Sequence, residues 1–475
     1  MRVTRRASAY VIGLVVISVV ATGCVGAKKN NADKKRNATA KNVTLVIGSN
    51  SIKGGKNTEG AVHTLDYTIP KFEAMEKAKG VNVKVTFQGS GADDEIYKQR
   101  LALSLKVGGG PDVFSMDGIW LGEFAQAGYI KPLDQVVGSS VGSWDGWSQI
   151  SSSIMQNATF GGQRYGIPSG TDGRILYFNK KLFAKAGLPA TWQPKSWADI
   201  IAAGKALKKL PGITPLQIDA GTAMGEATTT QGFLPLLAGA GQLIYDDKTK
   251  KWQGATPAVK NVLSFYQQIY SGGLGDPKLQ EDQNGRDQSF AAFSQGKVGV
   301  LAESDYLWRS VICPDKSKCN TTAMPDRNQT VGFALIPAMK PGSGVAGQNF
   351  VSISGGGDEV INPNTKYPQQ AWELMQFMAS KASVIAGLAG TAQITERSDV
   401  NAEVLKNDPL LSFINTKVLP ITRFRPGLAV YSTTITTAIQ QATLDVVTGK
   451  SVGQAAQTYQ QTVEKAVGAN AIQTG

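Results

Sequence analysis

Between Arg164 and Leu188 the chain reads R-Y-G-I-P-S-G-T-D-G-R-I-L-Y-F-N-K-K-L-F-A-K-A-G-L. A polar, glycine-rich run, Pro168 to Gly173, leads into a β-branched and aromatic run, Arg174 to Phe178, with the composition of a buried strand. Asn179 is placed to cap a helix whose apolar positions are Leu182, Phe183 and Ala186, and Gly187 stops it with Pro189 just beyond. Loop, strand, cap, helix and stop in this order define a unit of an α/β domain.

Related units precede and follow it. Val43 to Ile47 reads as a first strand, and the polar loop Gly48 to Gly60 after it places Asn50 at the carboxyl end, where open α/β sheets bind ligands. A helical region reaches Gly80, with Pro70 marking a break or a new first turn, and Val81 to Phe87 alternates like a second strand. Asp93, Asp94 and Glu95 open a helix with apolar positions Ile96, Leu101 and Leu105, ended by Gly108 to Gly110. Further on, Ser196 caps a helix to Leu210, Ile213 to Ile218 is a strand, and Gln231 to Leu237 and Pro257 to Tyr270 are helical. A chain of 475 residues is too long for one compact core, so two or three domains are expected.

The formal net charge of +13 is unevenly spread. Residues 1 to 41 hold nine Lys or Arg against the single acid Asp33, leaving +5 for the body, where no basic cluster with interleaved aromatics stands. Nucleic-acid binding is therefore not expected. Arg2, Arg5 and Arg6 precede the apolar run Ala7 to Val20 and then Ala21-Thr22-Gly23-Cys24, the layout of a secretory signal. Val25 to Asn42 is small, polar and basic, without apolar periodicity, and reads as a disordered tether. Its cations either rest on anionic lipid or wall polymer or are simply solvated. Beyond Cys24 the cysteines are Cys313 and Cys319, a spacing expected to give a loop disulfide in an oxidising compartment. No metal site and no cofactor are expected.

The segment Tyr165 to Leu188 resembles the Y-G-x-P-x-x-x-D-x-x-x-L-Y-[YF]-N-K-x-L-F-x-x-A-G-L stretch of bacterial extracellular solute-binding proteins, the sugar-capturing subunits of ABC importers of the maltose or trehalose type. Gly110 to Asp134 is similar to the family's G-x-P-D-[VI] strand and F-A-x-x-G-x-[IL]-x-P-L-D tail, and Ala292 to Trp308 to its A-F-x-x-G-[KE] segment. Val331 to Pro337 looks like the return crossing, Ala371 to Met378 like the A-W-E-F helix, and Arg425 to Tyr431 like the R-P-x-x-x-x-Y ending of disaccharide-binding members. The residues before Cys24 resemble a lipobox, with Ala21 where Leu is usual; a plain signal peptide or an uncleaved anchor are the alternatives.

The resemblance implies a periplasmic-binding-protein-like α/β fold, two lobes joined by crossing strands with the ligand cleft between them. The expected parts are a signal peptide over 1–23, a tether over 24–42, an N-terminal lobe over 43–171 plus 331–385, and a C-terminal lobe over 172–330 plus 386–475. It carries Asp117, Trp120, Asp172, Glu303, Tyr306, Asn349, Phe350 and Arg425 onto the cleft, with Met116 beside them, and Cys24 onto the lipid. An Asp accepts hydroxyl protons from adjacent sugar carbons and an indole covers an apolar ring face. Trp120 reads equally as helix-to-core packing, and Arg425 equally as a solvated loop residue. The implied protein is a lipid-anchored monomer on the outer face of the membrane that passes carbohydrate to a permease.

An enzyme is the competing class. His63 is the sole histidine, on a helix-like surface stretch, and no G-x-S-x-G, phosphate-binding loop or two-histidine metal pattern exists. Two carboxylates suffice for a glycosidase, and Asp117, Asp172 and Glu303 in one cleft would mimic one. Gly342 to Gly347 matches G-x-G-x-x-G, but Phe350 to Ile353 after it is strand-like where a dinucleotide site needs a helix. A binder of peptides or metal complexes is the third class.

Overall fold

The structure is a computed structural model that describes residues 36–92, 94–316, 322–388 and 392–474. The expected signal peptide, Cys24, most of the tether, Asp93 and Cys319 lie outside the described residues. The chain first lays down β1 (Asn42–Ser49), β2 (Asn82–Gly89), β3 (Val113–Asp117) and β4 (Gly166–Pro168). It crosses over 169–173 and builds β5 (Arg174–Asn179), β6 (Thr214–Gln217), β7 (Val298–Ser304) and β8 (Val331–Ala334). A short pair follows, β9 (Ile336–Pro337) and β10 (Phe350–Ser354), then β11 (Gly357–Ile361) and, late in the chain, β12 (Thr422–Phe424). The helices that matter below are α1 (Ile69–Ala78), α2 (Asp94–Lys106), α3 (Lys180–Lys185), α4 (Trp197–Leu207), α5 (Pro257–Ser271), α6 (Gly285–Ser294), α7 (Pro368–Met378), α8 (Thr436–Val447) and α9 (Val452–Val467).

Two sheets organise these elements. The first has the order β2-β1-β3-β11-β4, parallel across β2, β1 and β3 and antiparallel at β11. The second has the order β8-β5-β7-β6, with β5 antiparallel to both neighbours. A third, β9-β10-β12, lies where the chain passes between them.

Period-two alternation explains why both faces of each large sheet are covered. On β5, Ile175 and Tyr177 enter one core with Phe293, Trp308 and Ile414, while Leu176 and Phe178 enter another with Trp197, Leu216 and Tyr266. On β3, Val113 packs with Leu45, Phe72 and Trp372, while Phe114 and Met116 pack with Tyr97, Leu101 and Phe124. A helix-covered sheet of this kind buries near-continuous apolar strands, which is why these runs stand out in the sequence.

Most expected elements are found. Asn179 caps α3 by accepting from the amides of Lys181 and Leu182 at 3.0 and 3.1 Å, and Ser196 forms a capping box with Asp199 at the start of α4. Pro70 sits in the first turn of α1, directly after a wide π turn over Thr64–Thr68, so the helical region continues through it.

Four expectations are corrected. Ile96 is 45% exposed and Tyr97 takes the buried position, because α2 turns its Tyr97, Leu101, Leu105 face to the sheet. Residues 36–41 are not free tether: Arg36 donates to the Thr365 carbonyl at 3.3 Å and Asn37 to the Lys366 carbonyl at 2.8 Å. His63 is half-buried and stacked on Tyr67 at 5.3 Å, and burial lowers its pKa against a hydrogen bond that the ring donates to the Ser383 backbone. The return crossing is not at Val331, since β8 pairs along β5 inside the second sheet. The chain regains the first sheet only at β11, so 331–354 sits with the second unit and Gly355–Gly356 is the crossing. The Gly342–Gly347 string closes the β9-β10 hairpin with a single 3-10 turn over Val345–Gly347 and leads into a strand where a dinucleotide site needs an α-helix, which removes the dinucleotide reading.

The units touch tightly at one glycine pair. A Cβ on Gly122 would stand 1.3 Å from the Gly427 carbonyl oxygen, whereas one on Gly142 meets nothing within 4 Å. Gly122→Ala is expected to cost about 2 kcal/mol through overpacking, and Gly142→Ala less than about 0.5 kcal/mol, both read by urea unfolding.

Candidate ligand-binding cleft

The carboxyl ends of β1 and β3 bring Asn50, Met116 and Asp117 to one wall of a cavity of about 430 Å³, a size suited to a small ligand. Asp172 and Arg174 at the start of β5, Glu226 to Gln231 after β6, and Arg286 on α6 form the other wall. Gly355–Gly357 and Arg425 close the floor between them. A Cβ on Gly355 would lie 2.9 Å from the Arg425 guanidinium, so a side chain there would push it aside, and 3.6 Å from that of Arg174, an ordinary contact.

Five of the nine expected residues meet in this cavity: Asn50, Asp117, Trp120, Asp172 and Arg425, with Met116. Asp117 accepts from the Ile119 amide and from Arg425, each at 3.0 Å. Arg425, its side chain 7% exposed, also reaches Glu226 at 3.3 Å. Burial alone would lower its pKa, but the carboxylates of Asp117 and Glu226 reverse that and raise it. Asp172 pairs with Arg174 and accepts from the Gly355 amide at 2.8 Å. Burial would raise this carboxyl, and Arg174 with the amide bond brings it below the usual range instead. Trp120 belongs to the core and also reaches the cavity. It packs 6.4 Å from Phe124 and 6.3 Å from Tyr97, and one edge lines the cavity. Asn50 donates to Asp94 at 2.8 Å and to the Ala92 carbonyl at 3.2 Å.

The other four are elsewhere. Glu303 is fully buried on β7 because the strand runs on to Ser304, and it pairs with Arg286 at 2.5 Å behind the wall. Tyr306 is 43% exposed outside the cavity, beside Phe290 and 5.8 Å from the Arg286 guanidinium. Asn349 and Phe350 sit at the hairpin end of β10, where Asn349 accepts from the Gly342 amide at 2.8 Å. That strand points its other end at the cleft, so Gly355–Gly357 arrive in their place.

Sequence reading also missed Glu226, Thr230, Gln231, Arg174 and Arg286 on the walls. The polar run Asp219 to Gln231 does follow the carboxyl end of β6, a signal of the same kind as the loop after β1. It turns through a π helix over Thr228–Phe233 that lets Thr229 and Thr230 donate to Glu226 at 2.6 and 2.9 Å. Cys313 is disulfide-bonded and is not among the residues that line the cavity. Among the described residues no group of three or more His, Cys, Asp or Glu is placed to hold a metal ion.

The fold is that of sugar-binding proteins of the periplasmic-binding type. The sugar-binding protein MalE from Xanthomonas citri aligns with a TM-score of 0.70 at 17% identity, covering 89% of this chain and 96% of that one. A solute-binding protein from Thermotoga lettingae bound with α-D-tagatose aligns at 0.64 and 24% identity, covering 89% and 100%. In sequence, residues 61–385 match the bacterial extracellular solute-binding protein family, and the chain belongs to it. The diacetylchitobiose-binding protein of Streptomyces coelicolor is 30% identical over 60% of each chain. The maltodextrin-binding protein of Bacillus subtilis is 23% identical over 67% of this chain and 68% of its own.

Two measurements test the electrostatics. Removing Glu303 empties a fully buried position and leaves Arg286 without its carboxylate, though still partly solvated from the cavity, so Glu303→Ala is expected to cost about 3 kcal/mol in urea unfolding, whereas Asn349→Ala changes stability by less than about 0.5 kcal/mol. Burial, with help from Glu396, pushes Glu359 on β11 up to about 8. The native chain then holds a proton that the unfolded chain releases near about 4.3, so stability falls as pH rises between these values. Glu359→Gln should be more stable than the parent by about 2 kcal/mol at pH 9 and no more stable at pH 4.

Proposed function

We propose that this chain is the substrate-binding lipoprotein of an ABC importer, capturing a di- or oligosaccharide outside the cell and handing it unchanged to the membrane permease. The observation that carries the reading is the wall-to-wall pairing at the cleft. Asp117 of the first unit, Arg425 of the connecting sheet and Glu226 of the second are linked in one row. Asp172 and Arg174 form a second row at the crossing. Such rows present oriented carboxylate and guanidinium groups to hydroxyls from both sides, and the Trp120 edge supplies the apolar contact for a ring face.

The crossings support closure around a ligand. Thr171 donates to the Gly355 carbonyl at 2.9 Å, Ser354 to the Asp172 carbonyl at 2.5 Å, and the Gly173 amide to buried Asp305 at 3.2 Å. Two bonded segments flanked by large, separately packed cores make a hinge that moves the cores as bodies. A closed form offers the permease a surface that the open form lacks, which couples capture to transport. The N-terminal Cys24 carries the lipid in this reading, and the protein acts as a monomer. Relatives named for diacetylchitobiose and maltodextrin point the same way.

A thermal-shift panel of mono-, di- and oligosaccharides tests this directly, since a ligand at 100 times its Kd adds about 2.7 kcal/mol to stability. One sugar class should raise Tm, and Asp172→Ala and Arg425→Ala should weaken binding at least about tenfold. Release of reducing sugar, or a panel with no response, would overturn the reading.

A further inference from the structure

The charges around the cleft do not balance. Asp94, Asp117, Asp172 and Glu226 line it against Arg174, Arg286 and Arg425. Each cation is already committed. Arg174 is bonded to Asp172, and Arg286 is answered from behind by buried Glu303. Lys56 holds Asp94 at 2.6 Å. Arg425 alone serves two carboxylates. Of these, Glu226 gains further donors in Tyr431 at 2.9 Å and in Thr229 and Thr230. Asp117 gains only the Ile119 amide. Its Oδ1 takes both of its hydrogen bonds, and Oδ2 receives none among the described residues.

We infer that the ligand carries a protonated amine seated against Asp117 Oδ2, so that the substrate class is a free-amine amino sugar rather than a neutral or acidic saccharide. The inference rests on the saccharide reading above. An acidic sugar meets only guanidiniums already paired with a carboxylate, and it would add a further negative charge to the surplus. A neutral sugar would seal the carboxylate surplus away from water when the cleft closes, which is costly for an unpaired charge. An ammonium cancels that surplus with a charge-assisted hydrogen bond.

Two further observations agree. Burial pushes the Asp117 carboxyl up, and Glu226 and Asp94 add to this against the pull of Arg425, as expected of a carboxylate short of positive charge. Arg425, more than nine-tenths buried, has an unpartnered Nε beside it.

Calorimetry at pH 6 with glucosamine disaccharides, their N-acetyl forms, their glucose counterparts and a uronate disaccharide, in α-1,4 and β-1,4 linkage, decides the matter. The free-amine sugar should bind at least tenfold tighter than its glucose counterpart, a difference of about 1.4 kcal/mol. The uronate should give no heat. Asp117→Asn should bring the amine and glucose sugars to within about twofold of each other, even if it weakens both. Equal or tighter binding of the glucose or N-acetyl sugar would overturn the amine assignment while leaving saccharide capture standing. Silence from every sugar would overturn the capture reading, and the amine assignment with it.

Discussion

One guanidinium holds the cleft together. Arg425 stands after β12, at the seam between the two large sheets, and its two ends reach a carboxylate on each side. A lysine could not do this, because a point charge on a flexible stem does not present two forked donors to two carboxylates at once. Glycine beneath Arg425 leaves the room it needs: a Cβ on Gly355 would crowd one guanidinium nitrogen at 2.9 Å. The seam therefore depends on a charge and on an absent side chain together.

The same region shows how the fold separates rigid from adjustable parts. The two cores of each sheet are apolar and closely filled, and the ion pairs that touch them are locked, as Arg309 is to fully buried Asp305 at 2.6 Å and Arg286 to Glu303. Breaking such a pair strands a charge, so these bonds fix geometry rather than respond to a ligand. The pairs that line the cavity are different. Asp117 keeps 38% of its side-chain surface open and Asp172 24%, which leaves each able to trade water for a ligand hydroxyl or ammonium. Capture, in the proposed reading, uses this second set and leaves the first untouched.

The crossings add the mechanical element. Backbone and side-chain bonds tie 171–174 to 352–355, so the two segments act as one strip between the cores. Buried carboxyls lie close by: Glu359, pushed up to about 8, is on β11, and Glu396, raised to about 7 by burial, follows the segment that packs against Gly170. Burial thus favours the uncharged form of both groups, which lessens like charge beside the strip.

The sequence by itself determined the elements and the family. Alternating apolar runs such as Arg174 to Phe178 and caps such as Asn179 and Ser196 are local signals, because strand period and capping act over a few residues. The ordered motifs from Gly110 to Tyr431 carried the two-sheet architecture and pointed to Asp117 and Asp172 on the cavity wall, while Asn50 was placed by its loop at the carboxyl end of the first strand. Only tertiary structure decided the rest. Whether a carboxylate faces ligand or core depends on how far its strand continues, and β7 runs on past Glu303 to carry it inside with Arg286. Which end of β10 meets the cleft depends on the hairpin before it, so Asn349 and Phe350 were exchanged for Gly355–Gly357. Glu226 entered the site through pairing with an arginine 199 residues away, and no local pattern encodes a partner at that distance.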